Sequence, residues 1–87
     1  MRKTYQSILK TYFNHVLVRR RTELRMTQAQ MAELLHMDDR SYIELDHGRS
    51  GCSALTLALY LVYLCEDVQI FTEGLRHAFR MGRDSAA

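Results

Sequence analysis

Between residues 4 and 23 the apolar side chains fall at Tyr5, Ile8, Leu9, Tyr12, Phe13, Val16 and Leu17. Steps of three, one, three and one mark a single face of an α-helix, with Lys3, Lys10, Asn14 and Arg21 off the stripe. The spacing predicts a long helix over 4–23. Thr27-x-x-Gln30 is a capping box: the hydroxyl takes an orphan amide of the first turn and the glutamine reaches back. Met31, Leu34 and Leu35 follow at helical spacing, so a second helix is expected over 27–35. Asp38 can cap a third, over 39–46, with Gly48 suited to the left-handed residue that ends it. Ser53 can cap a fourth over 54–65, apolar nearly all round and therefore buried on most sides, either within its own domain or against a second chain. Tyr60 and Tyr63 on it read as core or interface residues. Asp67 can open a fifth helix over 68–81, with Val68, Phe71, Leu75, Ala78 and Phe79 on one side, and 82–87 reads as a tail.

Composition agrees with this pattern. There is no proline and there are four glycines in 87 residues, too few for an all-β fold with many tight turns. No repeat, linker or low-complexity tract divides the chain, so a single all-α domain over 1–87 is expected. Overall charge is only +2, but it is unevenly spread. From Met1 to Arg25, Arg2, Lys3, Lys10, Arg19, Arg20, Arg21 and Arg25 stand against Glu23, a net of +6. From Met26 to Gly51, Arg40 and Arg49 stand against Glu33, Asp38, Asp39, Glu44 and Asp46, a net of −3. A basic first third suits a polyanionic partner, although a solvated helix face has the same composition. Arg19, Arg20 and Arg25 lie where they favour the dipole of the first helix.

Little points to catalysis or to a metal. Cys52 and Cys65 form no CxxC pair, and His15, His36, His47 and His77 lack the spacing of a zinc site. No nucleophile–base pair or phosphate-cradling glycine loop is legible, so no enzymatic activity and no cofactor are expected. The N-terminal stretch lacks an apolar signal core, and the apolar run from Ala54 to Cys65 is short of the roughly 18 residues that span a bilayer. The expected setting is a reducing bacterial cytoplasm, without membrane association.

The segment with the most specific pattern is 27–48. Met31, Leu35, Met37, Tyr42 and Leu45 occupy the positions that pack the two helices of a DNA-reading helix-turn-helix, and Ala32 is small where the backbones must approach. The stretch ThrGlnAlaGlnMetAlaGluLeuLeuHisMet, followed by AspAspArgSerTyrIleGluLeuAspHisGlyArg, resembles the Cro/C1 (XRE-type) family of phage-repressor-like transcriptional regulators. Its marks are the opening Thr-Gln, the Met-Ala-x-x-Leu core and the closing acid-x-Gly-Arg. Ser53–Leu64 and the following Glu-Asp-Val are similar to the family's fourth helix and the turn after it. The resemblance spans about Val16 to Leu75 and implies a five-helix, lambda-repressor-like DNA-binding domain, here with a long first helix.

It also implies roles. Arg21 and Asp46 match a buried arginine–acid pair tying the first helix to the end of the third. Gln28 matches a phosphate-holding position at the start of the second helix, and His47 and Arg49 match further phosphate contacts. Asp39, Arg40 and Glu44 match base-reading positions, with Ser41 and Ile43 beside them. Arg40 can grip guanine O6 and N7, Asp39 or Glu44 can accept from a cytosine amino group, and Ile43 can meet a thymine methyl. His36 stands where the family usually has glycine, and Tyr42 replaces the usual isoleucine or valine. Either the helix junction is looser at Tyr42 or its hydroxyl finds an edge.

The expected function is a sequence-specific DNA-binding regulator acting on double-stranded DNA as a homodimer through helices four and five. The alternative, prompted by the acids around Arg40, is a protein-interaction module, antitoxin-like or adaptor, on the same fold.

Overall fold

The computed structural model describes the backbone of residues 1–86 and the side chains of residues 1–82. Five helices, α1 (Arg2–Glu23), α2 (Gln28–Leu34), α3 (Asp39–Asp46), α4 (Ala54–Tyr63) and α5 (Val68–Ala86), follow one another, with no strand among the described residues. The domain measures 40 × 25 × 20 Å. Its long dimension comes from α1, whose length at 1.5 Å per residue is about 33 Å.

The apolar stripe of α1 has two customers. Phe13 and Leu17 are fully buried, in a core completed by Met31, Ala32 and Leu35 from α2 and its end, Tyr42 and Leu45 from α3, Tyr60 and Leu64 from α4, and Phe71 from α5. Phe13 meets Tyr60 edge-on at 5.2 Å between ring centres. Toward its N-terminus α1 instead packs antiparallel on α5: Tyr12 meets Phe71 edge-on at 5.3 Å and Tyr5 meets Phe79 at 5.0 Å. The Tyr12 hydroxyl also donates to the Phe71 carbonyl at 2.8 Å.

Helix boundaries differ from the sequence reading at five ends, two of them by the single cap residues Thr27 and Leu35 that flank α2. Arg2, not Thr4, opens α1. Tyr63, not Cys65, is the last residue of α4, because Leu64 turns out as its cap and the Leu64 carbonyl accepts from Arg20 Nε at 2.7 Å. Arg20 therefore joins α1 to the end of α4 as well as lying near a helix dipole. The largest difference is α5, which runs on to Ala86 where a tail beginning at Gly82 was expected. Gly82 is a packing glycine, not a stop. A Cβ there would collide with the Ile8 side chain, and one at Gly74 would collide with the Tyr12 hydroxyl. Both glycines let α1 and α5 approach closely. Ala87 lies outside the described residues.

The fourth helix is not buried on most sides by its own chain. Thr56, Tyr60 and Leu64 face inward, while Leu55 is 65% exposed, Val62 71% and Tyr63 67%. Of its two tyrosines, Tyr60 is core and Tyr63 is surface.

Candidate nucleic-acid interface

The site is built on α2, a short turn and α3. Thr27 caps α2 reciprocally with Gln30: its Oγ1 accepts from the Gln30 amide at 3.1 Å, and its own amide donates to Gln30 Oε1 at 2.8 Å. At the other end His36 takes φ 56°, the Met37 amide donates to the Ala32 carbonyl, and the His36 amide donates to the Glu33 carbonyl. This is the Schellman ending, in which a left-handed residue satisfies the last carbonyls of a helix. Asp38 then caps α3, accepting from the Ser41 amide at 2.7 Å and the Ser41 hydroxyl at 3.0 Å. The Ser41 amide holds the Asp38 carboxyl below its ordinary value.

The same ending closes α1 and α3. Met26 donates to Arg21 and Arg25 to Thr22, with Arg25 at φ 55°. Arg49 donates to Glu44 and Gly48 to Leu45, with Gly48 at φ 75°. Only the third instance uses glycine. The left-handed Arg25 escaped the sequence reading, since arginine carries no preference for that conformation. The available signal was Met26 following it, an apolar residue just past a helix end.

The orientation of α3 is set by Asp46. Its carboxylate accepts from Arg21 Nε at 3.0 Å, Arg21 Nη2 at 3.3 Å, the Tyr42 hydroxyl at 2.9 Å and Gln28 Nε2 at 3.2 Å. Arg21 spans further, from Nη1 to the Met26 carbonyl at 3.3 Å. Asn14 adds a second tie, its amide donating to the Leu45 and Asp46 carbonyls at 3.1 and 2.7 Å. Burial would raise the Asp46 pKa, but hydrogen bonds from Arg21, Tyr42 and Gln28 outweigh it and hold the carboxyl below 3.8. The same bond to Asp46 pushes the Arg21 pKa up, and burial followed by Asp46 pushes Tyr42 up. Among the described residues no buried side-chain polar atom lacks a partner. Tyr42, fully buried, leaves the helix junction tight, and its hydroxyl has found a carboxylate.

The expected site residues therefore divide. Arg21, Gln28 and Asp46 are brought together, with Gln28 turned to the carboxylate rather than projecting alone from the start of α2. Asp39, Arg40 and Ser41 are exposed on α3, with Ile43 and Glu44 partly exposed beside them. Glu44 pairs with Arg49 Nε at 3.3 Å, and Arg49 Nη2 lies 2.6 Å from His47 Nδ1. Asp39 and Arg40 make no side-chain hydrogen bond or ion pair among the described residues. Two residues the pattern did not single out, Asn14 and Arg20, hold the frame. Their partners lie 31, 32 and 44 residues away, beyond the reach of any local spacing.

Among the described residues there is no cluster of histidine, cysteine, aspartate or glutamate able to hold a metal ion. Cys52 and Cys65 are both unpaired and half-buried. No described helix is long and apolar enough to cross a membrane. No family model matches the chain, and no curated protein or solved structure matches it either.

Proposed function

We propose that this chain is a sequence-specific DNA-binding transcriptional regulator that takes a two-fold operator as a homodimer. The observation that carries the reading is the mounting of α3. One face is locked to α1 and α2 through Asp46, and the opposite face offers Arg40 to solvent, with Asp39 exposed in the first turn and Ile43 and the Arg49-paired Glu44 partly exposed beside it. A short, rigidly held helix with free polar side chains is what major-groove reading needs, since an α-helix fits that groove and specificity comes from a few base-edge contacts. The resemblance of 27–48 to the Cro/C1-type helix-turn-helix, and of about Val16 to Leu75 to that family's sequence pattern, supports the same role. His47 and Arg49 would then approach phosphates and Arg40 a guanine, while the Gln28 side chain is held by Asp46. Leu55, Val62 and Tyr63 on α4, with Val68 and Ile70 at the start of α5, are large exposed apolar groups suited to a second copy. A dimer sets two reading helices about 34 Å apart, one turn of DNA.

The test is a binding screen against genomic fragments at two salt concentrations. Selective retention of a few fragments, weakening as salt rises, supports the reading; binding with neither sequence preference nor salt dependence rejects it. Sedimentation of the chain and of Val62→Asp checks the dimer, which the substitution should dissociate.

One observation favours a second reading, a protein-interaction module of antitoxin or adaptor type. Glu44 holds Arg49, and among the described residues Arg40 and Asp39 stand side by side at the start of α3 without an ion-pair partner. A stoichiometric protein partner that co-purifies from the native host without DNA would favour it.

A further inference from the structure

The basic first third of the chain lies outside the helix-turn-helix. No acidic residue occurs before Glu23. Of the basic residues on α1, Arg20 and Arg21 are engaged with Glu23, Glu66 and Asp46, whereas Arg2, Lys3, Lys10 and Arg19 form no ion pair among the described residues.

The placement of Lys3 and Lys10 follows from two contacts. Asn14 binds the carbonyls at the end of α3, directly before His47 and Arg49, and its side chain lies against Gly48. One turn earlier on α1, Lys10 lines a groove of about 380 Å³ whose far wall is Gly51 and Cys52, the continuation of that same segment. Lys3 follows on the same face, since seven residues bring a helix back to within about 20°. The opposite face, carrying Tyr5, Ile8 and Tyr12, is covered by α5. A chain of phosphates held at His47 and Arg49 would thus run past Gly51 onto Lys10 and Lys3. The two lysines are separated by about 10 Å along the helix, roughly three nucleotide rises of a B-form strand.

We propose that Lys3 and Lys10, on the face of α1 turned away from α5, form a second DNA-backbone contact continuous with the segment that follows α3. This rests on the DNA-binding reading above. The lysines read no bases; they lengthen the electrostatic footprint of each protomer, and the half-exposed Lys10 can lay its stem along the groove while its ammonium reaches a phosphate.

The experiment is a salt titration of binding to a fluorescent, random-sequence duplex of about 20 base pairs, read by anisotropy. Each phosphate contact contributes about 0.9 to the slope of log affinity against log salt. Lys3→Gln with Lys10→Gln should reduce the slope by about 1.8, with the circular-dichroism melt unchanged. Lys3→Arg with Lys10→Arg should restore it. Arg76→Gln, on the exposed side of α5, should leave it as in the wild type. An unchanged slope in the double glutamine variant, or an equal reduction from Arg76→Gln, overturns the proposal while leaving DNA binding itself intact. A wild-type chain that shows no salt-dependent binding overturns both. Amine acylation followed by mass spectrometry gives an answer independent of variant folding: duplex should protect Lys3 and Lys10, and unprotected lysines in a bound complex overturn the proposal.

Discussion

The two faces of α3 carry similar residues and opposite physics. On the inner face Asp46 is buried, bound by Arg21, Tyr42 and Gln28, and drawn into the framework. On the outer face Arg40 stands exposed without a partner among the described residues, as does Asp39 in the first turn of the helix. Four acids on and before one short helix suggest a surface hostile to phosphate. The structure gives three of the four acids a partner: Asp46 faces a guanidinium, Asp38 closes the helix start while staying exposed, and Glu44 holds Arg49. A count of charges along a helix is thus a poor measure of the field it presents. What matters is which charges already have partners.

The comparison breaks most readily on the inner face. Arg21→Met leaves the Asp46 carboxylate buried without its cation and should cost about 3–5 kcal/mol in urea unfolding. A loss below about 1 kcal/mol would mean that the pair behaves as an ordinary surface bridge. The same carboxylate gives stability an acid limb. Its folded pKa lies below the unfolded 3.8, so its contribution is present above about pH 4 and lost as pH falls through the folded value. The Tyr42 pKa is raised, so the hydroxyl adds an alkaline limb, present below about pH 10 and lost at higher pH. Thermal melts across pH should show both limbs, the acid one reduced in Asp46→Asn and the alkaline one in Tyr42→Phe.

The outer face should respond in the reverse sense. Arg40→Ala should weaken selective DNA binding by about 1–3 kcal/mol while shifting stability by no more than about 0.5 kcal/mol. If it unfolds the chain, the two faces are not separate. Asp39→Ala sharpens the contrast: relaxed selectivity identifies a cytosine reader, and equally tighter binding to every sequence identifies simple repulsion. Smallest of all is the effect at the turn between α2 and α3. His36→Gly relieves a left-handed histidine and should stabilise by about 0.5–1 kcal/mol in denaturant melts, the relief partly offset by the greater freedom of glycine when unfolded.

Sequence alone determined a good deal. Apolar stripes specified the first, second and fifth helices, an all-round apolar run the fourth and the Asp38 cap with Gly48 the third, and the capping residues Thr27, Asp38 and Ser53 set the start of three of them. These signals are local, and a helix's period and first-turn amides are local needs. Resemblance carried the pairing of Arg21 with Asp46, whose geometry the structure then supplied. Tertiary structure alone decided the rest. Gly82 looks like a terminator, yet it lies inside α5 because Ile8 fills the space its missing side chain leaves. Asn14 and Arg20 look like ordinary polar helix residues, yet they close the ends of α3 and α4, since exposed carbonyls accept whichever donor the fold brings near. The outward turn of Leu55, Val62 and Tyr63 was equally hidden. Hydrophobicity says that a side chain favours burial, but only the packed arrangement says which side chains the chain itself has room to cover.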